Sequence, residues 1–470
     1  MLSGGSFAHA VVVLGSLYFL LWAIAHLTMG VIAAIEMRNY KRRQSRRGQA
    51  VVDRITLPLV SIVVPAYNEE VTIVESIRAL LGLDYERCEI VVVNDGSTDG
   101  TLRLLQDVFH LLAAPLAYVQ PLASARVRGI YRSAVEPRLV IVDKENGGCK
   151  ADAANAGINA ASGKLVMVMD ADTVLAPEAL SRAVLPFLED ARTIAVGANV
   201  AIVNGCRIED GRLAEIALPR HWLPRLQVVE YMRAFLLFRL TCARWNGLLI
   251  LSGAFGLFRR DAVVAVGGYD RTAIGEDMDL TVRLHRHFRE RREPFRIAFD
   301  PAPLCATQAP EDWLSLRSQR LRWRRGLMQV FWRHRGLIGN PRYGAAGLVT
   351  FPYTFVFEGM APLLEFASYI LTTIAFAAGL LEWQTFRTVI LIWTLLGTSV
   401  TMLAILLHDV ATRRYLGTGD LATLVLVGLM ENYGYRQLST WWGTVGTVQA
   451  LRGTGGWGTM KRRQFERANV

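Results

Sequence analysis

Lys164-Leu165-Val166-Met167-Val168-Met169-Asp170-Ala171-Asp172-Thr173 is the stretch that decides the fold. Five consecutive apolar residues, Leu165 to Met169, read as a strand buried on both faces. Two carboxylates, one residue apart, stand where it ends. In open α/β sheets, ligands sit in the crevice outside the carboxyl ends of the strands. A carboxylate pair there suits a hard divalent cation that also touches phosphate oxygens, and hence a nucleotide-diphosphate ligand. The plainer reading is a strand end running into a solvated turn, because Asp and Thr are ordinary turn residues. An Asp-x-Asp alone does not choose between the two.

The same pattern recurs on either side. Leu59 to Val64 is a buried strand ending at Pro65, and Ala66-Tyr67-Asn68-Glu69-Glu70 leads into a helix through Leu81. Glu89 to Val93 is a second strand, and Asn94-Asp95-Gly96-Ser97-Thr98-Asp99-Gly100 turns into the next helix. Leu139 to Asp143 is a third strand, and Lys150 to Ala161 is a helix. Strands alternating with helices predict an α/β, Rossmann-like, mostly parallel sheet covered on both faces. The segment Ala113–Pro137 exceeds a normal connection and is expected to pack over the site or against a partner.

The 470 residues exceed one compact core, and mean hydropathy is +0.27 although 20% of residues are charged. The apolar residues are concentrated. Met1 to Ile35 and Thr388 to Leu407 contain no Asp, Glu, Lys or Arg. Each run is long enough to cross a hydrocarbon core of about 30 Å as a helix. Between Tyr343 and Leu381 the only acidic or basic residues are Glu358 and Glu365. A further segment, Leu421–Leu451, is interrupted by Glu431, Arg436 and glycines, so either it is re-entrant or Tyr343–Leu381 holds a second, partial crossing. Charges at that depth are costly toward lipid and should face a polar path or pair with one another. Arg38, Lys41, Arg42, Arg43, Arg46 and Arg47 follow the first apolar run, which orients the large domain to the cytoplasm of a multi-pass inner-membrane protein. This cluster, like the net charge of +11, fits anionic lipid and does not call for nucleic acid. Arg225–Trp245 reads as a helix with one apolar stripe, either at the membrane interface or in the core. Arg283–Arg292 reads as a solvated basic face. The five cysteines have no paired spacing, which argues against a zinc site or a disulfide framework and for reduced, buried thiols.

Four motifs carry chemistry. Asp95, in a Gly-rich turn after a strand, can accept a base N–H, or simply close an Asx turn. Lys150 opens a helix after Gly147-Gly148-Cys149, where backbone N–H groups and an ammonium suit phosphate; its alternative is a solvated first turn. Asp277, in Gly275-Glu276-Asp277, can act as a general base or cap the helix that follows. Gln319, Arg322 and Trp323 share a helix face that Asp312 caps at its start. There the Arg suits phosphate and the Trp suits a sugar's C–H face, or the tryptophan sits at headgroup level.

These motifs, in this order and ahead of membrane helices, resemble the processive family 2 glycosyltransferases of GT-A fold: cellulose, hyaluronan, chitin and poly-N-acetylglucosamine synthases. The resemblance spans about Leu59 to Trp332. It implies an inverting enzyme that takes a UDP-sugar of glucose or N-acetylglucosamine type and extends a β-linked glycan. It implies donor binding by Ala66, Tyr67, Glu69, Asp95, Lys150, Asp170, Asp172 and Arg322. Asp172 and Asp170 would hold Mg²⁺ or Mn²⁺. Asp277, beside Glu276, would be the base, and Trp323, Gln319, Ser252 and Gly253 would meet the acceptor. The partners implied are the UDP-sugar, a growing glycan or lipid acceptor, membrane lipids, and secretion or regulatory subunits. Gly275 stands where Thr is commoner, and Cys149 where a small residue is. The expected organisation is an N-terminal transmembrane helix with its basic flank (1–50), a GT-A domain (51–310), an interfacial helix (311–342) and a C-terminal transmembrane bundle (343–470). Two rival readings are transfer of a single sugar to a lipid carrier, and an inactive nucleotide-binding scaffold.

Overall fold

The structure, a computed structural model, describes residues 4–47, 57–114, 118–171, 173–209, 212–412 and 417–453. Asp172, the side chains of Arg46 and Arg47, and the last seventeen residues with their basic cluster lie outside the described residues. A long helix, α1 (Gly4–Arg47), precedes the sheet domain. The first half of that domain runs β1 (Val60–Ala66), α2 (Ile73–Leu81), β2 (Cys88–Asp95), α3 (Thr101–Phe109), β3 (Leu111–Ala113), β4 (Val127–Ser133), β5 (Leu139–Lys144) and α4 (Lys150–Ala160). Then come β6 (Leu165–Val168), β7 (Val174–Leu175), α5 (Ala179–Glu189), β8 (Thr193–Ile202) and a hairpin of β9 (Arg207–Glu209) and β10 (Arg212–Glu215). Helices α6 (Trp222–Met232) and α7 (Leu240–Arg244) are joined by a π-helical stretch, Arg233–Arg239. The domain closes with β11 (Gly256–Arg259), α8 (Arg260–Ala265), α9 (Glu276–Arg291), β12 (Arg296–Thr307) and α10 (Trp313–Arg333).

One ten-stranded sheet has the order β3-β4-β5-β2-β1-β6-β11-β8-β12-β7. Its centre, β5-β2-β1-β6, is parallel as the alternation predicts. Antiparallel strands extend it on both sides, so the sheet is mixed. The segment Ala113–Pro137 supplies part of this extension. Among its described residues it holds β4, which pairs antiparallel with β5 through a short connection. Helix α4 is nearly all small residues, and a Cβ on Gly157 would fall 2.2 Å from Val63 Cγ1, so this helix lies flat against β1 and β2.

Among the described residues, three helices are long and apolar enough to cross a membrane: Ala8–Gln44, Ala346–Ala377 and Trp383–Val410. Tyr343–Leu381 thus holds one candidate span, assembled from α11 (Phe351–Thr354), α12 (Ala361–Ala377) and π-helical turns, with Pro352 and Pro362 inside it. After α13 (Trp383–Thr412), the break falls in the last segment, at Glu431–Gly434, between α14 (Thr418–Met430) and α15 (Tyr435–Leu451). Of the charges in the apolar segments, Glu365 pairs with Arg436 at 3.1 Å and Glu431 with Arg233, while Glu358 lines the central cavity.

The Arg225–Trp245 stripe is buried. Leu226, Val229, Leu236, Leu237 and Leu240 pack with Trp22, Val400 and Ile405 of the spans, so this helix joins the sheet domain to the membrane helices. The basic run is only partly solvated: Arg283 binds Asp279 at 2.7 Å and the carbonyls of Val266 and Gly268. All five thiols are free, but Cys149 and Cys206 are half-buried because they line the central cavity.

Candidate active site

Two loops at the carboxyl ends of β1 and β2 are laced together. Asn68, at φ 55°, donates its N–H to Ser97 Oγ (3.0 Å) and accepts from Thr98 N (2.8 Å). Gly100 N donates to Glu70 Oε2 at 3.0 Å, and Glu69 N to Thr101 Oγ1 at 2.9 Å. Gly96 stands at φ +64°, and a Cβ there would fall 2.7 Å from Asn146 N, so only glycine fits the turn. Asp95, the last residue of β2, is held by Gly147 N at 3.1 Å and by the Lys144 ammonium. Lys144 is wholly buried and reaches Asp152 at 2.7 Å as well. Its signal in the sequence is a lysine still inside a buried strand, and it is easily overlooked there.

Lys150, at the start of α4, pairs with Asp170 at 2.7 Å. Opposite them is the loop before β11. A Cβ on Gly253 would lie 3.4 Å from Lys150 Nζ, 3.9 Å from Asp170 Oδ2 and 4.0 Å from Asp277 Oδ2. Three charged groups from three elements therefore converge on one small volume, which a glycine keeps open. Asp277 accepts from Gly253 N (3.2 Å) and Met278 N (2.8 Å), so it contacts the loop from the second position of α9, whose N-cap is Gly275. Burial raises the proton affinity of Asp277, against the lowering effect of those N–H groups and nearby cations. Burial, and then repulsion from Asp277, pushes the Glu276 carboxyl up to about 7. Burial alone would depress Lys150, but Asp170 and Glu276 outweigh it and hold the amine above its ordinary value.

Helix α10 closes the other side. Asp312 caps it, accepting from Ser315 N at 2.9 Å as its sequence predicts. Gln319 is buried, and its Oε1 has no hydrogen-bond partner among the described residues. Trp323 is 43% exposed, with the Arg320 guanidinium 4.8 Å from its ring centre. The helix touches the Gly275-Glu276-Asp277 turn backbone to backbone: a Cβ on Gly326 would lie 2.9 Å from Gly275 N. Gln329 Oε1 accepts from Ile274 N at 2.8 Å, and Arg333 binds Asp270 at 2.6 Å.

Every candidate residue among the described ones lines a single cavity of about 3130 Å³: Ala66, Tyr67, Glu69, Asp95, Lys150, Asp170, Ser252, Gly253, Glu276, Asp277, Gln319, Arg322 and Trp323. The cavity continues past Asp277 to Arg239 and on to His26, Phe357, Glu358 and Pro362 of the spans, and to Ser439 and Gly443 of α15. Sequence patterns gave no sign that Arg239 belongs to it. Among the described residues, no three His, Cys, Asp or Glu side chains form a metal-ligand cluster. The donor chemistry still suits a hard cation: Asp170 offers carboxylate oxygen at the point where Glu276 and Asp277 already crowd negative charge.

The chain matches glycosyl transferase family 2 over residues 61–267 and glycosyl transferase family group 2 over residues 165–407. It is 29% identical over 274 residues to a poly-beta-1,6-N-acetyl-D-glucosamine synthase of Staphylococcus aureus, and 27% identical over 277 residues to that of Staphylococcus epidermidis. Each match covers 58% of this chain and 56%, little more than half, of the relative. The mannosyltransferase PcManGT from Pyrobaculum calidifontis, solved with GDP-Man and Mn²⁺, is 16% identical with a TM-score of 0.49, covering 92% of this chain and 100% of that one. By the two family matches, the second of which spans more than half of it, the chain belongs to the family 2 glycosyltransferases.

Proposed function

We propose that this glycosyltransferase extends a β-linked polysaccharide from a UDP-sugar of glucose or N-acetylglucosamine type, with inversion, and passes the product toward the membrane helices. One observation carries the reading: a single cavity joins the nucleotide-side residues, Asp277 and the membrane helices. In this reading Ala66, Tyr67, Glu69 and Asp95 hold the uridine. Lys150 and Arg322 balance the diphosphate. Ser252, Gly253, Gln319 and Trp323 receive the acceptor. The acceptor hydroxyl attacks the anomeric carbon as its bond to the phosphate oxygen breaks, UDP leaves, and the hydroxyl proton passes to Asp277. Burial raises the proton affinity of Asp277, which strengthens it as a proton acceptor. Asp170 and Asp172 would hold Mg²⁺ or Mn²⁺, which when bound neutralises charge on the leaving diphosphate. The sheet domain would lie in the cytoplasm, with the basic flank of α1 on anionic lipid.

The test is Asp277→Asn in purified protein. Incorporation of labelled sugar should vanish while UDP affinity stays within a few-fold. Normal turnover would remove Asp277 from its role. Sizing of the labelled product separates chain extension from transfer of one sugar to a lipid.

A further inference from the structure

The motif that begins at Lys150 has two more functional-looking side chains, at Asp152 and Asn155, which sugar transfer as proposed leaves without a task. Both are buried, and they stand one turn apart on α4. Asn155 takes Tyr269 by both backbone groups, with Tyr269 N donating to its Oδ1 (2.8 Å) and its Nδ2 donating to Tyr269 O (2.9 Å). Asp152 accepts Arg271 Nε at 2.8 Å, Lys144 at 2.7 Å and Ala125 N at 3.0 Å. Tyr269 and Arg271 open the short segment that ends at Glu276 and Asp277. The middle of that segment is held from the other side by α10, through Gln329 to Ile274 N and Thr272 O and through Arg333 to Asp270. Lys144 carries the same chain of charges back to Asp95.

We infer that Arg271 is a positioning residue. With Asp152 and Asn155 it locks the segment between α8 and α9, which leads into Glu276 and Asp277, onto α4, whose first residue is Lys150. The phosphate-side amine and the proton-accepting carboxylate are then set at a fixed separation by one helix. The inference rests on the proposed roles of Lys150 and Asp277. Its outcome separates from stability because Arg271 is replaceable to the fold. Its side chain is 43% exposed, and without it Asp152 keeps Lys144 and Ala125 N. A half-exposed ion pair adds little to stability, whereas small displacements of a reacting group are costly in rate.

The experiment measures UDP release, donor KM and thermal unfolding for Arg271→Gln and Arg271→Lys, with Asp277→Asn in parallel. For Arg271→Gln, kcat should fall roughly tenfold, with donor KM within about threefold and the unfolding midpoint within about 2 °C of the parent. Arg271→Lys should recover part of the loss, since an ammonium can still reach Asp152. Unchanged kcat in Arg271→Gln would overturn the inference. So would a parallel fall of kcat and unfolding midpoint that lysine does not rescue. An active Asp277→Asn variant would instead overturn the assignment of the base, whatever Arg271 does.

Discussion

Gly326→Ala tests how closely the acceptor helix must sit on the catalytic turn. The added methyl would lie 2.9 Å from Gly275 N, 3.1 Å from Gly275 Cα and 3.3 Å from the Ile274 carbonyl carbon. All three are backbone atoms, so no rotamer can relieve them. Reaching an ordinary contact needs a shift of roughly 0.5 Å between α10 and the turn that begins α9. The shift cannot be shared evenly, because Gln329 and Arg333 pin the segment before α9 about one and two helical turns farther along α10. Overpacking of this kind costs about 1–3 kcal/mol. Replacing glycine inside a helix returns up to about 1 kcal/mol, so the net loss of stability is small. Catalysis should suffer more, because Asp277 moves relative to Trp323 and Lys150; a loss of about 10- to 100-fold in kcat is expected. The assay is UDP release by purified enzyme across donor concentrations, beside thermal unfolding. Gly336→Ala is the control: it lies just beyond α10, and nothing stands within 4 Å of its added methyl. If Gly326→Ala matched Gly336→Ala in kcat, the close contact would have no part in positioning the base.

Lys144→Met should unfold or strongly destabilise the sheet domain, by about 3–5 kcal/mol, because it removes the buried cation that Asp95 and Asp152 share and leaves Asp95 no ion-pair partner among the described residues; a thermal midpoint near the parent's would refute this. Glu276→Gln should stabilise the protein, but only at higher pH. The Glu276 carboxyl is raised from 4.5 to about 7, so the parent loses stability as pH rises through that window while the glutamine variant does not. The difference in unfolding midpoint should be absent near pH 4 and greatest above pH 7, where it reaches a few kcal/mol at most; a difference independent of pH would refute the assignment. Chelation by EDTA should stop UDP release and added Mn²⁺ restore it, and Asp170→Asn should raise the Mn²⁺ concentration required; turnover in EDTA would remove the metal from the site.

The parts of the fold that were legible are those where local physics acts alone. Leu165–Met169 and Glu89–Val93 are apolar runs that can only be buried strands, and Asp312 caps α10 because its carboxylate reaches Ser315 N. Antiparallel extension of the sheet was illegible. A strand such as β4, with exposed Arg residues and one buried face, lacks the unbroken apolar run that marks the centre. The gathering of Asp95, Lys150, Asp277 and Trp323 follows from motif order, but the groups that hold them do not. Lys144, Gln329 and Arg271 act through partners from 8 to 119 residues away, and no spacing rule marks such pairs. The lopsided stripe of α6 was visible. What it packs against was not, because sheet core and membrane helix are equally apolar neighbours.

That last ambiguity bears on function. The helical run from α6 to α7 is where catalytic domain and membrane helices become one structure. Arg233, at the start of its π-helical stretch, binds Glu431 beside the break between α14 and α15, and Thr401 on α13 at 2.7 Å. Arg239, at the end of the same stretch, lines the cavity beside Asp277 and Glu358, its guanidinium 3.9 Å from the centre of the Phe235 ring. Helix α10 makes the second join: Arg324 binds the carbonyls of Glu358 and Gly359 and donates to Thr447 Oγ1 at 2.7 Å. Both joins use arginines whose partners lie on the candidate spans or on the helices packed against them. The wall between Asp277 and the spans is therefore built from both parts at once. An isolated sheet domain would retain Asp95, Lys150, Asp277 and Trp323, but would lose the wall that His26, Phe357, Glu358, Pro362, Ser439 and Gly443 give the cavity.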